Sequence, residues 1–188
     1  MPRTRWITAD THFGDPGAIA TFRRPFADAR QMDDELVDAI NRCVGKGDEL
    51  LHLGDVFGNI DWSSRGARQD SRRLLERIRC RRIRLLIGNK DPDRRSFLRM
   101  FRSADHLRSE RMHAPADGTR IRAVFCHYPL RQWQGIHDGA VHLHGHSHGA
   151  LPSRGRSMDV GVDAHGFAPL ALDAAVGRLL ALPVQPPL

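Results

Sequence analysis

Short apolar runs that end in a polar, metal-capable side chain recur along this chain, and they constrain its fold more than any other feature. Arg5-Trp-Ile-Thr-Ala9 runs into Asp10, Glu49-Leu-Leu-His-Leu53 into Gly54-Asp55, and Ile83-Arg-Leu-Leu-Ile87 into Gly88-Asn89. Further on, Arg120 to Cys126 runs into His127, and Val141-His-Leu-His144 into Gly145-His146. Runs of this length, rich in β-branched and aromatic residues and bounded by glycine, read as strands. In α/β sheets ligands bind outside the carboxyl ends of the strands, so five such ends can meet at one place.

Between the runs the pattern changes period. Met32, Leu36, Val37, Ile40 and Val44 recur at helical spacing from Ala29 to Val44, and Gly45-Lys-Gly47 stops that helix. A second helix is expected from about Arg68 to Arg79 and a short one from Arg94 to Phe101, with a Gly/Pro-rich loop from Thr11 to about Phe26. Strands are expected over Arg111 to Ala114, turning at Asp117-Gly118, and over Ser157 to Val162; Leu172 to Leu182 reads as helix or strand. Strand–helix order early and strand–strand order late predict mixed sheets with helices outside. With 188 residues and no internal repeat or linker, the chain reads as a single domain over 1–182, followed by a Pro-rich tail over 183–188.

Hydrophobic residues at 40% and charged residues at 27% fit a soluble globular protein. Cys43, Cys80 and Cys126 are odd in number and lack CxxC spacing, which points to reduced thiols in the cytoplasm. No apolar run approaches the length of a membrane span, so no membrane partner is expected. The net charge of +7 is carried mostly by arginine, densely so from Arg77 to Arg84. A basic surface attracts phosphate-bearing partners, nucleic acid among them, although this run lacks interleaved aromatics and also reads as a solvated face.

The candidates for chemistry are Asp10, His12, Asp55, Asn89, His127, His146 and His148. The run Val141 to Gly149 alone, with histidines at 142, 144, 146 and 148, is ambiguous between a solvated loop and a metal-binding tract. Joined to the acidic and amide residues it becomes a mixed oxygen–nitrogen set without thiolate, suited to Mn, Fe, Zn or Mg. Seven side chains exceed one tetrahedral ion and suit two ions if one carboxylate bridges. The use of such a pair is hydrolysis, because the ions lower the pKa of a shared water and neutralise charge on a phosphoryl group.

The series Asp10-x-His12, Gly54-Asp55, Gly88-Asn89-x-Asp91, His127 and Gly145-His146-x-His148 resembles the calcineurin-like metallophosphoesterase superfamily. All five motifs stand in that family's order, and the local wording resembles its small bacterial and phage branch of predicted phosphoesterases. The resemblance implies a four-layer α/β/β/α sandwich of two mixed β-sheets flanked by helices. It implies that Asp10, His12 and His148 hold a first metal and that Asn89, His127 and His146 hold a second, with Asp55 bridging. The cofactors would be two divalent ions, Mn first, with Fe, Zn, Ni or Mg as alternatives. The nucleophile would be water activated by the metals, with no covalent intermediate on the protein.

Two positions depart from the family pattern. Lys90 stands where the family usually has histidine; it suits an electrostatic clamp, a proton donor if the metals lower its pKa, or a solvent-facing lysine. Asp15 stands where this branch often carries histidine, as a support for a ligand or as a loop residue. Arg24 is expected to contact substrate phosphate or to form a surface ion pair. Asp91 and His144 are expected to support the ligands from behind, Asp91 through backbone hydrogen bonds, and His52 to be a buried core histidine. His106, His113 and His137 carry no signal, and His165 follows a strand end near Asp163.

The expected activity is hydrolysis of a phosphodiester or phosphomonoester substrate, with Asn89, Lys90 and Asp55 as catalytic groups and diesters favoured by Lys90 and the basic surface. The alternatives are a nuclease or a cyclic-nucleotide or RNA-end phosphodiesterase and, from another class, a non-catalytic metal-stabilised binding module. Oligomeric state is not encoded in any recognisable motif.

Overall fold

The computed structural model describes residues 3–185. In chain order the elements are β1 (Arg5–Thr8), α1 (Pro16–Phe22), α2 (Ala29–Cys43), β2 (Glu49–His52), α3 (Arg65–Glu76), β3 (Ile83–Leu86), α4 (Arg95–Leu98), β4 (Ser103–Asp105), β5 (Leu107–His113), β6 (Arg120–Cys126), β7 (Val141–His144), β8 (Ser157–Asp159), β9 (Leu170–Ala171) and α5 (Leu172–Leu180). They form an α/β fold with two mixed sheets. The first has the order β4-β3-β2-β1-β9 and the second β5-β6-β7-β8. In the first sheet β1 to β4 are parallel and β9 is antiparallel; in the second β6, β7 and β8 are parallel and β5 is antiparallel.

Strand alternation divides the core. Leu50, Ile83 and Leu85 face α2 and α3, meeting Met32, Leu36, Ile40 and Leu75. Ile7, Leu51, Leu53 and Leu86 point the other way, onto Phe125, Val141 and Leu143 of the second sheet. At the rim of this inter-sheet core, Arg5 bridges Glu49 of the first sheet at 3.4 Å and Glu110 of the second at 2.6 Å.

The expected helix layer outside the second sheet is absent among the described residues. Val124 on that face is covered by Trp133, Ile136 and Ala140, a loop with one 3-10 turn at Ile136–Asp138. α5 instead packs Leu172, Ala175, Val176 and Leu179 into the inter-sheet core, so its apolar stripe is spent inside the sandwich. Local readings also change: β5 starts at Leu107 rather than Arg111, and β8 ends at Asp159 rather than Val162. The loop from Thr11 to Phe26 contains α1, because Asp15 caps it by accepting from Gly17 N at 2.9 Å and Pro16 occupies its first turn. α3 starts at Arg65 rather than near Arg68, since Ser64 Oγ accepts from Ala67 N. β4 was not expected at all. Of the expected tail, His137 Nδ1 lies 3.0 Å from Gln185 O, and residues 186–188 lie outside the described residues. No helix among the described residues is long and apolar enough to cross a membrane.

Candidate metal centre

Asp10, Asp55 and Asn89 follow β1, β2 and β3 in the first sheet, while His127 and His146 follow β6 and β7 in the second. The two sheets approach closely here, and glycine permits it. A Cβ on Gly145 would lie 2.6 Å from both Ala9 Cβ and Asp10 Oδ2, and one on Gly54 would lie 2.7 Å from His127 Nδ1. Either clash is beyond what a side chain can escape.

The backbone at the site is strained. Seven non-glycine residues among those described have positive φ, and five are candidate ligands: Asp10 (59°), His12 (49°), Asp55 (53°), His146 (70°) and His148 (48°). Each left-handed non-glycine residue costs on the order of 1–3 kcal/mol, and such strain collects where a ligand must be gripped. Asp and His tolerate the conformation better than most side chains, but five in one cluster is a concentrated cost.

The side chains meet lone pair to lone pair. His127 Nδ1 lies 2.8 Å from Leu53 O, which can only accept, so the proton sits on Nδ1. Burial holds the His127 pKa below its usual value, leaving Nε2 as a bare acceptor. That atom lies 2.9 Å from Asn89 Oδ1 and 3.6 Å from Asp55 Oδ1, both acceptors too. Asn89 Oδ1 is also 2.9 Å from His146 Nδ1. Asp55 Oδ2 stands 3.6 Å from His12 Nε2, so the Asp55 carboxylate lies between the two histidines.

Buried atoms here lack partners. Asp10 Oδ1 and both ring nitrogens of His12 have no hydrogen bond. Burial, then the neighbouring charges of Asp159 and Asp55, push the Asp10 pKa well above the carboxylate range. Burial, His148 and Arg24 push His12 down to about 3, so its ring is neutral and available as a ligand. Two clusters place one ligand atom from each member within 4.8 Å of the others: Asp10, His12 and His148, and Asp10, Asp55 and His127. Divalent cations fit this donor set, because positive charge supplies what facing acceptors and buried carboxylates both lack.

The side chains expected behind the candidate ligands differ in what they touch. Asp91 Oδ2 accepts from Asp55 N at 2.8 Å and Gly88 N at 2.9 Å, and Oδ1 from Val56 N at 3.0 Å, tying the β2 and β3 loops together. Burial raises its pKa to about 6 against those three donors. His144 Nδ1 lies 2.9 Å from Gly145 O; it steadies the loop backbone and touches no ligand side chain. His52 is buried, with Nε2 3.0 Å from Thr11 Oγ1, and His142 is buried between Val124 O and Leu130 N. Asp15, besides capping α1, brings Oδ2 to 4.0 Å from His12 Nδ1.

Arg24 is neither a phosphate contact nor a surface ion pair. Its side chain is fully buried, with Nη2 bonded to Asp10 O at 2.6 Å, Nη1 to Thr11 O at 2.9 Å, and Nε and Nη2 to Asp163 at 2.8 and 2.7 Å. A fifth contact, Nη1 to Met32 Sδ, engages the last donor. No N–H remains for a substrate. Asp163 itself was missed by sequence reasoning. Its Oδ2 lies 2.7 Å from His148 Nδ1, so His148 presents Nε2 to the cluster. Burial raises the Asp163 pKa, but hydrogen bonds from His148 and Arg24 together outweigh it and hold the carboxyl below its usual value. The only local hint was its place after a strand ending. Phe22 closes the other side, stacked on His148 with centroids 3.4 Å apart.

At the rim Asn89 and Lys90 are exposed. Lys90 N donates to Asp55 Oδ1 at 2.8 Å, while its Nζ makes a single long contact, 3.5 Å to Asn59 Oδ1. Tyr128, also missed, stands exposed with its ring edge-on to His127 and His146.

No protein-family model matches the chain. It is 27% identical over 188 residues to the Gene 66 protein of Mycobacterium phage L5, covering 86% of this chain and 87% of that relative. It is 29% identical over 190 residues to the Gene 66 protein of Mycobacterium phage D29, covering 88% and 91%. Among solved structures, a protein of unknown function from Aquifex aeolicus is similar, with a TM-score of 0.64 over 90% of this chain and 96% of that one. At 18% identity this is a likeness of fold.

Proposed function

We propose that this chain is a dinuclear-metal phosphoesterase of the calcineurin-like metallophosphoesterase kind, with that family's pair of stacked sheets but a loop in place of the second helix layer, and that it hydrolyses phosphodiester or phosphomonoester bonds. The observation that carries the reading is the set of facing acceptors without a proton between them, His127 Nε2, Asn89 Oδ1 and Asp55 Oδ1, beside the unpartnered Asp10 Oδ1 and His12. Asp10, His12 and His148 would hold one ion, and Asn89, His127 and His146 the other, with Asp55 between. Two divalent ions supply Lewis acidity toward phosphoryl oxygens and acidify water. The three free cysteines, two of them buried, fit a reducing compartment such as the cytoplasm.

The chain's own residues do the rest. Asp91 fixes the two loops that present Asp55 and Asn89, and Asp163 sets the face that His148 offers. Lys90, exposed and loosely held, swings its ammonium onto a substrate oxyanion and stabilises developing charge. Tyr128 walls the entrance and excludes water from one side.

The test uses chelator-stripped protein reloaded with single metals. Mn-loaded protein should hydrolyse bis-p-nitrophenyl phosphate faster than p-nitrophenyl phosphate, and His127→Ala should lose turnover of both. Two ions bound per chain with no turnover of any phosphoester would leave a non-catalytic metal-stabilised module and sink the enzyme reading.

A further inference from the structure

The outer face of the second sheet, toward the end away from the metal ligands, concentrates arginine that the metal site does not use. Arg111 of β5 stands directly across from Arg122 of β6, and His113 from Arg120. Directly opposed residues share a face; here it is the outer one, since Met112 and Ile121 pack into the inter-sheet core. Like charges opposed in this way lower stability, and none of these three arginines forms an ion pair among the described residues. Elsewhere, Arg5, Arg24, Arg73, Arg77, Arg84 and Arg108 each pair with a carboxylate. Arg111, Arg120, Arg122 and Arg156 form no ion pair among the described residues.

These four line an open groove of about 540 Å³, completed by the segment around Gly135 and Gly139, with Asp138 its single carboxylate. Two of the guanidinium groups are held in place by neutral partners. Arg122 Nη1 donates to Ser109 Oγ at 2.9 Å and to Gln134 Oε1 at 3.1 Å. Arg156 donates to the carbonyls of Leu182, Gly139 and Leu180 at 2.9 to 3.1 Å. Neutral partners orient a guanidinium without discharging it. An ordered array of uncancelled arginines, kept at a cost to the sheet, suits a partner with repeated phosphates, which guanidinium recognises bidentately.

We propose that this groove binds the sugar–phosphate backbone of a nucleic-acid strand. The contacts are to phosphate, so binding is independent of base sequence. Along β6, Arg122 is five residues from His127, roughly 17 Å at strand rise, a span of a few nucleotides. The groove contains no candidate ligand, and the proposal stands whether or not the metal centre hydrolyses phosphoesters.

The experiment is fluorescence anisotropy of a labelled single-stranded DNA of about 20 nucleotides with the full chain in EDTA, where binding is read without hydrolysis. The logarithm of affinity should fall linearly with the logarithm of salt, with a slope of about −2 to −3 if three or four phosphates are neutralised. R111Q/R120Q should weaken binding about tenfold or more and flatten the slope by about 1.4. The same variant should keep or raise Tm, because it relieves opposed charge; an arginine pair serving the fold would lower it. R72Q/R79Q, exposed within α3 and just beyond it, should bind within about twofold of the parent. Binding by R111Q/R120Q as tight as the parent's, or an equal loss in R72Q/R79Q, overturns the proposal. So does polyglutamate that displaces the DNA at equal charge concentration, which would assign the groove to an acidic protein.

Discussion

Asp163 lies 2.7 Å from His148 Nδ1 and so fixes which ring nitrogen of His148 faces Asp10 and His12, the group that could hold a metal ion. The same carboxylate neutralises Arg24, whose guanidinium holds the carbonyls of Asp10 and Thr11. Asp163→Asn should therefore act twice. The buried Arg24 is left with an unpaired charge, at a cost of about 3–5 kcal/mol in denaturant unfolding of the chelated protein. Mn affinity, read by calorimetric titration, should fall about 10- to 100-fold. A variant with parental metal affinity would show that His148 needs no orienting partner.

Asp91→Asn replaces an acceptor of three backbone N–H groups with a side chain that offers one oxygen. One or more of the N–H groups of Asp55, Val56 and Gly88 then loses its partner, costing about 1–3 kcal/mol. Since Asp91 touches no ligand atom, the distinctive expectation is in stoichiometry. Metal analysis should find closer to one ion per chain than two, because the Asn89 loop is released from β2.

Much of this arrangement was legible in the sequence, for a physical reason. A strand that ends in Gly-Asp or Gly-Asn-x-Asp advertises both its period and its close approach to another backbone, so Asp10, Asp55, Asn89, His127 and His146 were found as strand ends. The α2 stripe from Met32 to Ile40 was equally plain, and all of it is buried. What was not legible is pairing at a distance. Arg24 and Asp163 are 139 residues apart, and nothing around either names the other. The missing helix layer had a similar cause: α5 has an amphipathic stripe, and a stripe does not say which of two sheets' faces will receive it. α1 was readable and overlooked, since Asp15-Pro16 is a capping residue followed by a first-turn proline.

Acid should destabilise the protein through two buried histidines, His142 and His52, that are not among the candidate ligands. Burial pushes His142 down to about 4 and His52 to about 3, against about 6.5 when unfolded. The unfolded chain therefore takes up protons that the folded chain refuses. Stability from these groups is fully present above pH 6.5 and is lost as pH falls toward 4. Burial lifts Asp33 to about 6, which acts oppositely between about 4 and 6, so total stability blurs the effect. His142→Gln isolates it. From pH 6.5 to 4.5 the parent should lose stability relative to this variant by about 1.4 kcal/mol per pH unit, read by chemical denaturation.

Metal should stabilise the fold measurably. An ion at about a hundredfold its Kd adds about 2.7 kcal/mol per site, which for a domain of this size raises Tm by about 5–10 °C. Asp10→Asn, which removes a carboxylate common to both ligand clusters, should cut that rise while melting close to the parent in EDTA. An unchanged Tm on adding Mn, Fe, Zn, Ni or Mg would rule out a built metal site.

The candidate ligands are divided between two sheets that meet through a layer of aliphatic and aromatic side chains, Leu51 and Leu53 against Phe125 and Leu143. Ions held by both sides would act as a rivet between plates, and the spacing of the plates is set by that filling. Trimming the filling, as in Phe125→Leu, should let the plates settle and detune metal preference from well beneath the site, favouring ions whose coordination distances suit the new gap. Ion selectivity at such a centre would then be a property of interior packing as much as of the seven candidate side chains.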